Sequence, residues 1–290
     1  MTGLSESFWS SLTEESGNSM PISLEEEFLL VEKSNHKWDG MLEFIQQQPI
    51  QGTTEVCESA DNQSLIRFPS QSIWDKSRVI LTTDSITNFI NASYITLPKV
   101  DRRYILTESP LLNTMTNFWL MIWQNQINSI IMMNIFNEKT DSPTNQIHAY
   151  MPIGGENGDT DSKEFGDYVI TYDSRESYPS FDVTLLLVTE QSSGLSRNIT
   201  HYAFHSWTMD TENPTHSSRC EDMLGFIFQL YSRGLFIKSD HSVPSPPVLV
   251  HCSDGLGRSG ALILLEYCLQ ILMRNHSLKD VKVMLFIRLC

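Results

Sequence analysis

One stretch of the chain, Val248–Gly260, constrains its fold and chemistry more than any other. It predicts a short apolar strand, a tight turn that contains Gly255 and Gly257, and the start of an apolar-rich helix. Cys252 and Arg258 stand six residues apart, one on each side of the turn. The glycines allow the backbone to curl so that successive N–H groups converge, and the helix N-terminus adds partial positive charge. The stretch therefore predicts a cradle for a phosphoryl group with a cysteine at its mouth.

The polar residues of this stretch suit the attack of a thiolate on a phosphoryl group. The positive field of the loop should lower the pKa of the Cys252 thiol and make it a nucleophile near neutral pH. Arg258 offers a planar guanidinium to two phosphoryl oxygens, and Ser259 can hydrogen-bond the sulfur as it leaves. A buried cysteine on a strand is ordinarily only a packing residue, but chance does not also supply the glycines, the hydroxyl and the helix. The intervening residues, expected to bind the phosphoryl group, are Ser253, Asp254, Gly255, Leu256 and Gly257.

Local patterns elsewhere predict the elements around this site. Asn113 is expected to cap a helix in which the aromatic and aliphatic residues of Phe118–Trp123 form a stripe facing the core. Ser129–Ile135 is nearly all apolar, which predicts a strand in the middle of a sheet. Gly154–Gly166, rich in Gly, Asp, Glu and Ser, predicts a surface loop.

Further segments, in order along the chain, resemble those of the classical, non-receptor type protein-tyrosine phosphatases. The signature of that family is His-Cys, five residues, Arg, and then Ser or Thr, which His251–Ser259 matches. The resemblance covers about Leu65 to Arg288 and implies an α/β (α+β) fold with a central, highly twisted mixed sheet flanked by helices. The other segments that carry it are Trp74–Val79, Asn88–Ile95, Tyr104–Trp123 and Arg197–Trp207.

The resemblance implies an enzyme that removes phosphate from phosphotyrosine in proteins through a cysteinyl-phosphate intermediate. In the family, an Asp in a Trp-Pro-Asp loop protonates the leaving tyrosine oxygen. Here Trp207 is followed by Thr208 and Met209, with Asp210 one position late. Either Asp210 swings into the acid position, or Met209 occupies it and general acid catalysis is lost, at a cost on the order of a hundred- to ten-thousandfold in rate. The sequence leaves both alternatives open.

Further departures from the family pattern predict weak activity. Asp254 lies within the phosphate loop, where a carboxylate at the rim would repel a dianion and raise the pKa of the cysteine. Phe68 stands where the family has a Tyr that stacks on the substrate ring, and Ser70 where it has an Asp that holds the substrate backbone. The chain ends at Cys290, before the family's Gln-containing loop that positions the hydrolytic water, so slow release of the phosphocysteine is expected.

Two functions of different kinds remain compatible with the sequence. The first is an enzyme in which the loop carries out the chemistry, Asp210 is the acid, and Phe68 and Trp207 contact the substrate. The alternative is a catalytically impaired pseudophosphatase that binds phosphotyrosine proteins and shields them. Met209 and Asp254 favour the second function, whereas the complete loop favours the first.

Composition limits the partners and the compartment of the protein. A formal net charge of −15 argues against a nucleic-acid binder, because that function needs clustered Lys and Arg. Five scattered cysteines with no close-spaced pair indicate free thiols in a reducing compartment and no zinc site. No apolar run is long enough to cross a bilayer. We expect a cytoplasmic, monomeric protein without metal or cofactor, in which residues 1–21 are a flexible acidic leader and residues 22–290 a C-terminally truncated phosphatase domain.

A lone domain with an altered acid loop and an abbreviated C-terminus also resembles the tyrosine phosphatases carried by parasitoid-wasp bracoviruses. That resemblance implies a protein that acts in the cytoplasm of infected host cells and interferes with their tyrosine signalling. A truncated cellular phosphatase is the other interpretation.

Overall fold

The computed structural model of the chain describes seven ranges of residues. These are 52–83, 87–97, 102–136, 146–154, 161–207, 216–236 and 245–275. Within them, the backbone but not the side chains is described for residues 216–221 and 271–275. The leader predicted at residues 1–21 lies outside the described ranges.

The described strands form one sheet, in the order β1-β2-β3-β9-β4-β8-β7-β6-β5. The strands are β1 Arg78–Ile80, β2 Phe89–Thr96, β3 Arg103–Glu108, β4 Ser129–Met132, β5 Ser162–Phe165, β6 Tyr168–Ser177, β7 Phe181–Glu190, β8 Ser196–Phe204 and β9 Val248–Cys252. The helices are α1 Glu55–Glu58, α2 Met115–Gln124, α3 His216–Ser232 and α4 Gly257–Asn275, with a 3₁₀ turn at Gln63–Leu65.

The centre of the sheet is parallel and its flanks are antiparallel. β9 pairs in parallel with β3 and β4, and β4 also pairs in parallel with β8, whereas the outer pairs are antiparallel. Every residue of β4 and β9 is buried, as expected of parallel strands covered on both faces. The predicted mixed sheet with flanking helices is confirmed. Because β9 is central, the carboxyl end that carries Cys252 lies in the middle of the sheet edge.

Alternate side chains of the central strands enter two hydrophobic clusters, as the two-residue period of a strand requires. Ile130 and Leu249 pack in one cluster with helix α2, and Ile131 and Val250 pack in the other with helices α3 and α4. Burial of each aliphatic side chain of this size contributes about 1.5–3 kcal/mol. The helix that follows the phosphate loop is therefore fixed to the sheet through its apolar face. The buried members of that face are Leu262, Ile263 and Leu265.

Two local predictions are wrong in part. Helix α2 begins at Met115 with Thr114 at its cap position, while the Asn113 amide instead donates a hydrogen bond to the Ser64 carbonyl at 2.9 Å. The segment predicted as a loop at Gly154–Gly166 contains strand β5, because the ring of Phe165 stacks on Trp119 and gives that stretch an apolar contact. No helix among the described residues is both long and apolar enough to span a membrane.

Candidate active site

The loop between β9 and α4 closes tightly against the neighbouring strand β3. Cys252, the last residue of β9, pairs in register with Glu108, the last residue of β3. Gly255 has a φ of +74°, and a Cβ added there would lie 2.5 Å from the carbonyl carbon of Thr107. Only glycine satisfies both constraints. Gly257 has no positive φ and begins helix α4, so the curl expected of two glycines depends on Gly255.

The carboxylate of Asp254 lies inside the loop. Its Oδ1 accepts hydrogen bonds from the Leu256 N–H at 3.0 Å and the Gly257 N–H at 3.2 Å. The Cys252 thiol donates to the same oxygen at 3.0 Å, and the Gln71 amide donates to Oδ2 at 3.5 Å. Asp254 itself is half-buried. The converging amides do bind an anion, but that anion is the protein's own carboxylate.

This arrangement keeps the Cys252 thiol protonated. Burial raises the pKa of the Cys252 thiol most, and the hydrogen bond to Asp254 and its charge raise that pKa further. Burial opposes ionisation of Asp254 as well, but the hydrogen bonds from Cys252, Leu256 and Gly257 outweigh it and lower the pKa of Asp254. The pKa of Cys252 is thus raised rather than lowered as expected from the loop's field, first by burial and then by the adjacent Asp254 carboxylate.

Ser259 lies behind the sulfur in the first turn of α4. Its hydroxyl is fully buried and forms no hydrogen bond of ordinary distance and angle with another described residue. It nevertheless lies close enough to the sulfur to lower the pKa of the Cys252 thiol, as does the Ser259 N–H. A buried hydroxyl without a partner is costly unless a ligand or a changed charge state completes its bond. A thiolate at Cys252 would provide that acceptor.

Arg258 connects the loop to the segment that follows strand β8. Its guanidinium donates a hydrogen bond to the Trp207 carbonyl at 2.9 Å, and its side chain is 7% exposed. Residues 208–215, which include Asp210, lie outside the described ranges. The acid loop predicted from the sequence therefore starts beside the phosphate loop. Where its carboxylate lies stays a prediction.

The remaining loop residues have simpler surroundings. The Ser253 carbonyl accepts the Ser109 N–H at 3.3 Å, which ties the loop to the residue after β3. The Leu256 side chain is 52% exposed. Among the described residues, no group of three His, Cys, Asp or Glu side chains could hold a metal ion.

A turn at Arg67–Gln71 lies against the phosphate loop. The Gln71 N–H donates to the Phe68 carbonyl at 2.9 Å, and the Gln71 side chain reaches Asp254. Phe68 is half-buried and Ser70 is exposed. The structure therefore brings the predicted substrate-contacting segment and the loop together. Sequence reasoning did not identify Gln71, because nothing in its neighbours distinguishes it from any exposed amide.

A buried polar chain supports the strand that carries the nucleophile. The Tyr150 hydroxyl contacts Nε2 of His251 at 2.6 Å and Nε2 of His201 at 2.7 Å. On its other side, His251 Nδ1 contacts the Ser109 hydroxyl at 3.2 Å, which donates to the Cys252 carbonyl at 3.0 Å. Burial lowers the pKa of both histidines to about 3, so both rings are neutral. These bonds fix the end of β9. In the sequence, the His-Cys pair at the end of an apolar strand indicated that His251 is buried, but no pattern indicated Tyr150 as its partner.

The sequence of this chain is similar to those of known tyrosine phosphatases. A sequence model of the family described as "Protein-tyrosine phosphatase" matches residues 62–290. The human "Tyrosine-protein phosphatase non-receptor type 2" is 29% identical over 93% of this chain and 61% of its own length. The rat "Tyrosine-protein phosphatase non-receptor type 9" is 32% identical over 75% of this chain and 36% of its own length. The "Probable tyrosine phosphatase protein N1" of Microplitis demolitor bracovirus is 28% identical over 79% of this chain and 70% of its own length. The chain thus spans 61% or less of the two non-receptor phosphatases.

Proposed function

Because this chain belongs to the protein-tyrosine phosphatase family, we propose that it binds phosphotyrosine in proteins at the β9–α4 loop and hydrolyses it slowly. In the first step the Cys252 thiol loses its proton to solvent and its sulfur bonds to phosphorus, while the bond from phosphorus to the tyrosine oxygen breaks. Protonated Asp210 gives its proton to that oxygen. In the second step Asp210 takes a proton from water, whose oxygen replaces the sulfur on phosphorus and so releases inorganic phosphate and the Cys252 thiolate, which regains a proton from solvent.

The observation that most supports this proposal is the binding of a carboxylate by the loop itself. The N–H groups of Leu256 and Gly257 converge on one oxygen of Asp254 within 3.2 Å. Amides at a helix N-terminus that hold one anion can hold a phosphoryl oxygen in the same place. Arg258 stands beside them as the cation, and the buried hydroxyl of Ser259 is available to the sulfur when it leaves.

The same observation supports a low rate. A substrate dianion must displace the Asp254 carboxylate from both amides and approach its negative charge. The cysteine must also lose a proton that it donates to Asp254 at 3.0 Å. A free thiol is only about 3% ionised at pH 7, and the raised pKa of Cys252 lowers that fraction further. Both effects reduce turnover without altering the chemical steps.

A second function is favoured by the hydrogen bond from the Cys252 thiol to Asp254. If the thiol never ionises in the cell, the loop and Arg258 still provide donors to a phosphoryl group. The protein would then act as a pseudophosphatase that shields phosphotyrosine from active phosphatases. In both cases we propose a monomer in the cytoplasm that interferes with host tyrosine signalling; the similarity to a probable tyrosine phosphatase of a bracovirus supports a viral source.

An assay on an aryl phosphate and on a phosphotyrosine peptide tests the proposal. We expect slow phosphate release that Cys252→Ser abolishes and Asp210→Ala lowers at least a hundredfold. Asp173→Ala serves as the control. Asp173 is an exposed aspartate, and among the described residues its carboxylate accepts a hydrogen bond from the hydroxyl of its neighbour Ser174. Binding without any turnover, removed by Arg258→Met, would support the pseudophosphatase. Absence of both binding and turnover would refute both functions.

A further inference from the structure

A buried carboxylate that the proposed chemistry does not use lies directly beside the nucleophile. Glu108 is 5% exposed and ends strand β3, opposite Cys252 in the parallel pairing with β9. Its Oε1 accepts the backbone N–H of Arg67 at 2.9 Å, and its Oε2 accepts the Asn91 side-chain amide at 2.7 Å. A buried carboxylate is costly unless such donors and a cation compensate it, so its partners indicate what it does.

The positive charge that acts on Glu108 is that of the Arg67 guanidinium. That guanidinium donates to the carbonyls of Ser109, Pro110 and Gln146 at 2.9–3.1 Å, all of which are neutral acceptors. Glu108 is the carboxylate that balances its charge, since it is the group whose charge acts on Arg67. Glu108 therefore holds Arg67 twice, through the backbone N–H and through the charge of its side chain.

Arg67 is the first residue of the turn that approaches the phosphate loop. The turn closes through the bond between Phe68 and Gln71, and Gln71 contacts Asp254 inside the loop. The catalytic side chains stand on β9 and α4, which the hydrophobic core fixes independently of this turn. A change at Glu108 should thus move the turn and leave the nucleophile in place.

We propose that Glu108 is a positioning residue, whose carboxylate holds the turn Arg67–Gln71 against the phosphate loop and so determines how tightly the ring and backbone of phosphotyrosine are bound. The proposal rests on the proposed function, because it assigns the turn to recognition of that substrate. It adds a carboxylate that touches neither the substrate nor the reacting atoms.

The hold on the turn depends on the charge of Glu108. Burial raises the pKa of Glu108 to about 7, against the lowering effects of the Arg67 N–H, Asn91 and the Arg67 charge. The other titratable group that this charge acts on is the Cys57 thiol. The N–H donors and the Arg67 charge favour the ionised form of Glu108, but burial outweighs them. Ionisation of Glu108 as pH rises through 7 therefore makes the folded site less stable and loosens its hold on the turn.

Three variants separate positioning from general structural support. Glu108→Ala removes the acceptors, Glu108→Gln keeps an acceptor for Arg67 but no charge, and Glu266→Gln is the control. Glu266 is also fully buried, but it accepts hydrogen bonds from Tyr104 and Tyr231, away from the turn. Loss of a hydrogen bond to a buried charged group predicts about a tenfold rise in KM for a phosphotyrosine peptide in Glu108→Ala, with kcat within twofold. Glu108→Gln should restore most of that affinity and abolish the rise in KM that ionisation of Glu108 causes in the parent between pH 6 and pH 8.

Two further measurements keep a failure of this proposal distinct from a failure of the proposed function. Phosphotyrosine peptide affinity is measured in the Cys252→Ser background, where a parent that binds nothing refutes the proposed function. Amide hydrogen exchange at Arg67 and Phe68 needs no substrate and should accelerate in Glu108→Ala but not in Glu266→Gln. Unchanged KM and unchanged exchange in Glu108→Ala, or kcat falling in parallel with affinity, would overturn the positioning role. If Glu108→Ala does not fold, exchange and the pH profile of Glu108→Gln decide the matter.

Discussion

Replacing Asp254 tests the central feature of the site, a loop that binds its own carboxylate. Asp254→Ala removes an acceptor from the N–H groups of Leu256 and Gly257 and from the Cys252 thiol. The amides become available to a phosphoryl group, and the negative charge nearest the sulfur disappears. We expect the variant to bind phosphate more tightly and its cysteine to ionise at lower pH.

The magnitude follows from the geometry. Two unit charges about 4 Å apart interact by about 4 kcal/mol at an effective dielectric constant near 20. Asp254 is only half-buried, so water screens part of this interaction, and about 1–3 kcal/mol is a reasonable remainder. That range corresponds to an increase in kcat/KM of about 5- to 150-fold. The two freed amides add to it only when the phosphoryl group binds them better than water does.

Asp254→Asn divides this effect into charge and occupancy. The amide oxygen of Asn can still accept from Leu256 and Gly257, but the residue carries no charge. We therefore expect Asp254→Asn to lower the pKa of Cys252 nearly as much as Asp254→Ala does, while phosphate remains a poor ligand. Iodoacetamide alkylation across pH 5–10 reports the thiolate, and isothermal titration with inorganic phosphate or vanadate reports the anion site.

Two results would refute this reasoning. If the alkylation profiles of the parent, Asp254→Asn and Asp254→Ala coincide, Asp254 does not control the thiol. If kcat/KM of Asp254→Ala on an aryl phosphate also stays at the parent's value, the carboxylate is not the reason for slow turnover. The Asp173→Ala control excludes a general effect of the protein's net charge.

Three further predictions concern the frame around the loop. The pKa of Glu108 is raised to about 7, so the folded protein binds this proton more tightly than the unfolded chain does. The resulting contribution to the free energy of unfolding, about 3 kcal/mol, is fully present below about pH 4.3 and is lost as pH rises through 7. Urea unfolding at pH 5 and pH 8 should show this loss in the parent and not in Glu108→Gln. Gly255→Ala should destabilise the protein by more than about 2 kcal/mol and abolish phosphate binding, whereas Gly194→Ala, at φ +69° with no atom within 4 Å, should cost only about 1 kcal/mol in the same assay. Tyr150→Phe leaves two buried histidine nitrogens without their common partner and should lower the free energy of unfolding by about 1–3 kcal/mol, measured by thermal denaturation with calorimetry.

The features that the sequence predicted correctly depend on local patterns. Strand β4 is buried and central because Ile130–Met132 is apolar without alternation, and Gly255 lies where the turn requires glycine. The position of Asp254 depends on a side-chain rotation into the loop, which no spacing along the chain encodes. Glu108 was visible as a carboxylate in an apolar segment, but its partners Arg67 and Asn91 come from other segments. Their convergence is a property of the fold.

Two carboxylates lie next to Cys252, and their pKa values are shifted in opposite directions: that of Asp254 is lowered and that of Glu108 is raised. These shifts determine how any activity depends on pH. The pKa of Asp254 is lowered, so between pH 5 and pH 8 it remains ionised and keeps the amides of the loop. The pKa of Cys252 is raised, so the thiol remains protonated over the same range. Glu108 is the group of this set whose charge changes there, at about pH 7. Phosphotyrosine itself gains its second charge near pH 6, which strengthens repulsion by Asp254, and ionisation of Glu108 near pH 7 loosens the turn. Both effects predict a KM that rises with pH through 7, and Asp254→Ala should remove the part of this rise that repulsion causes.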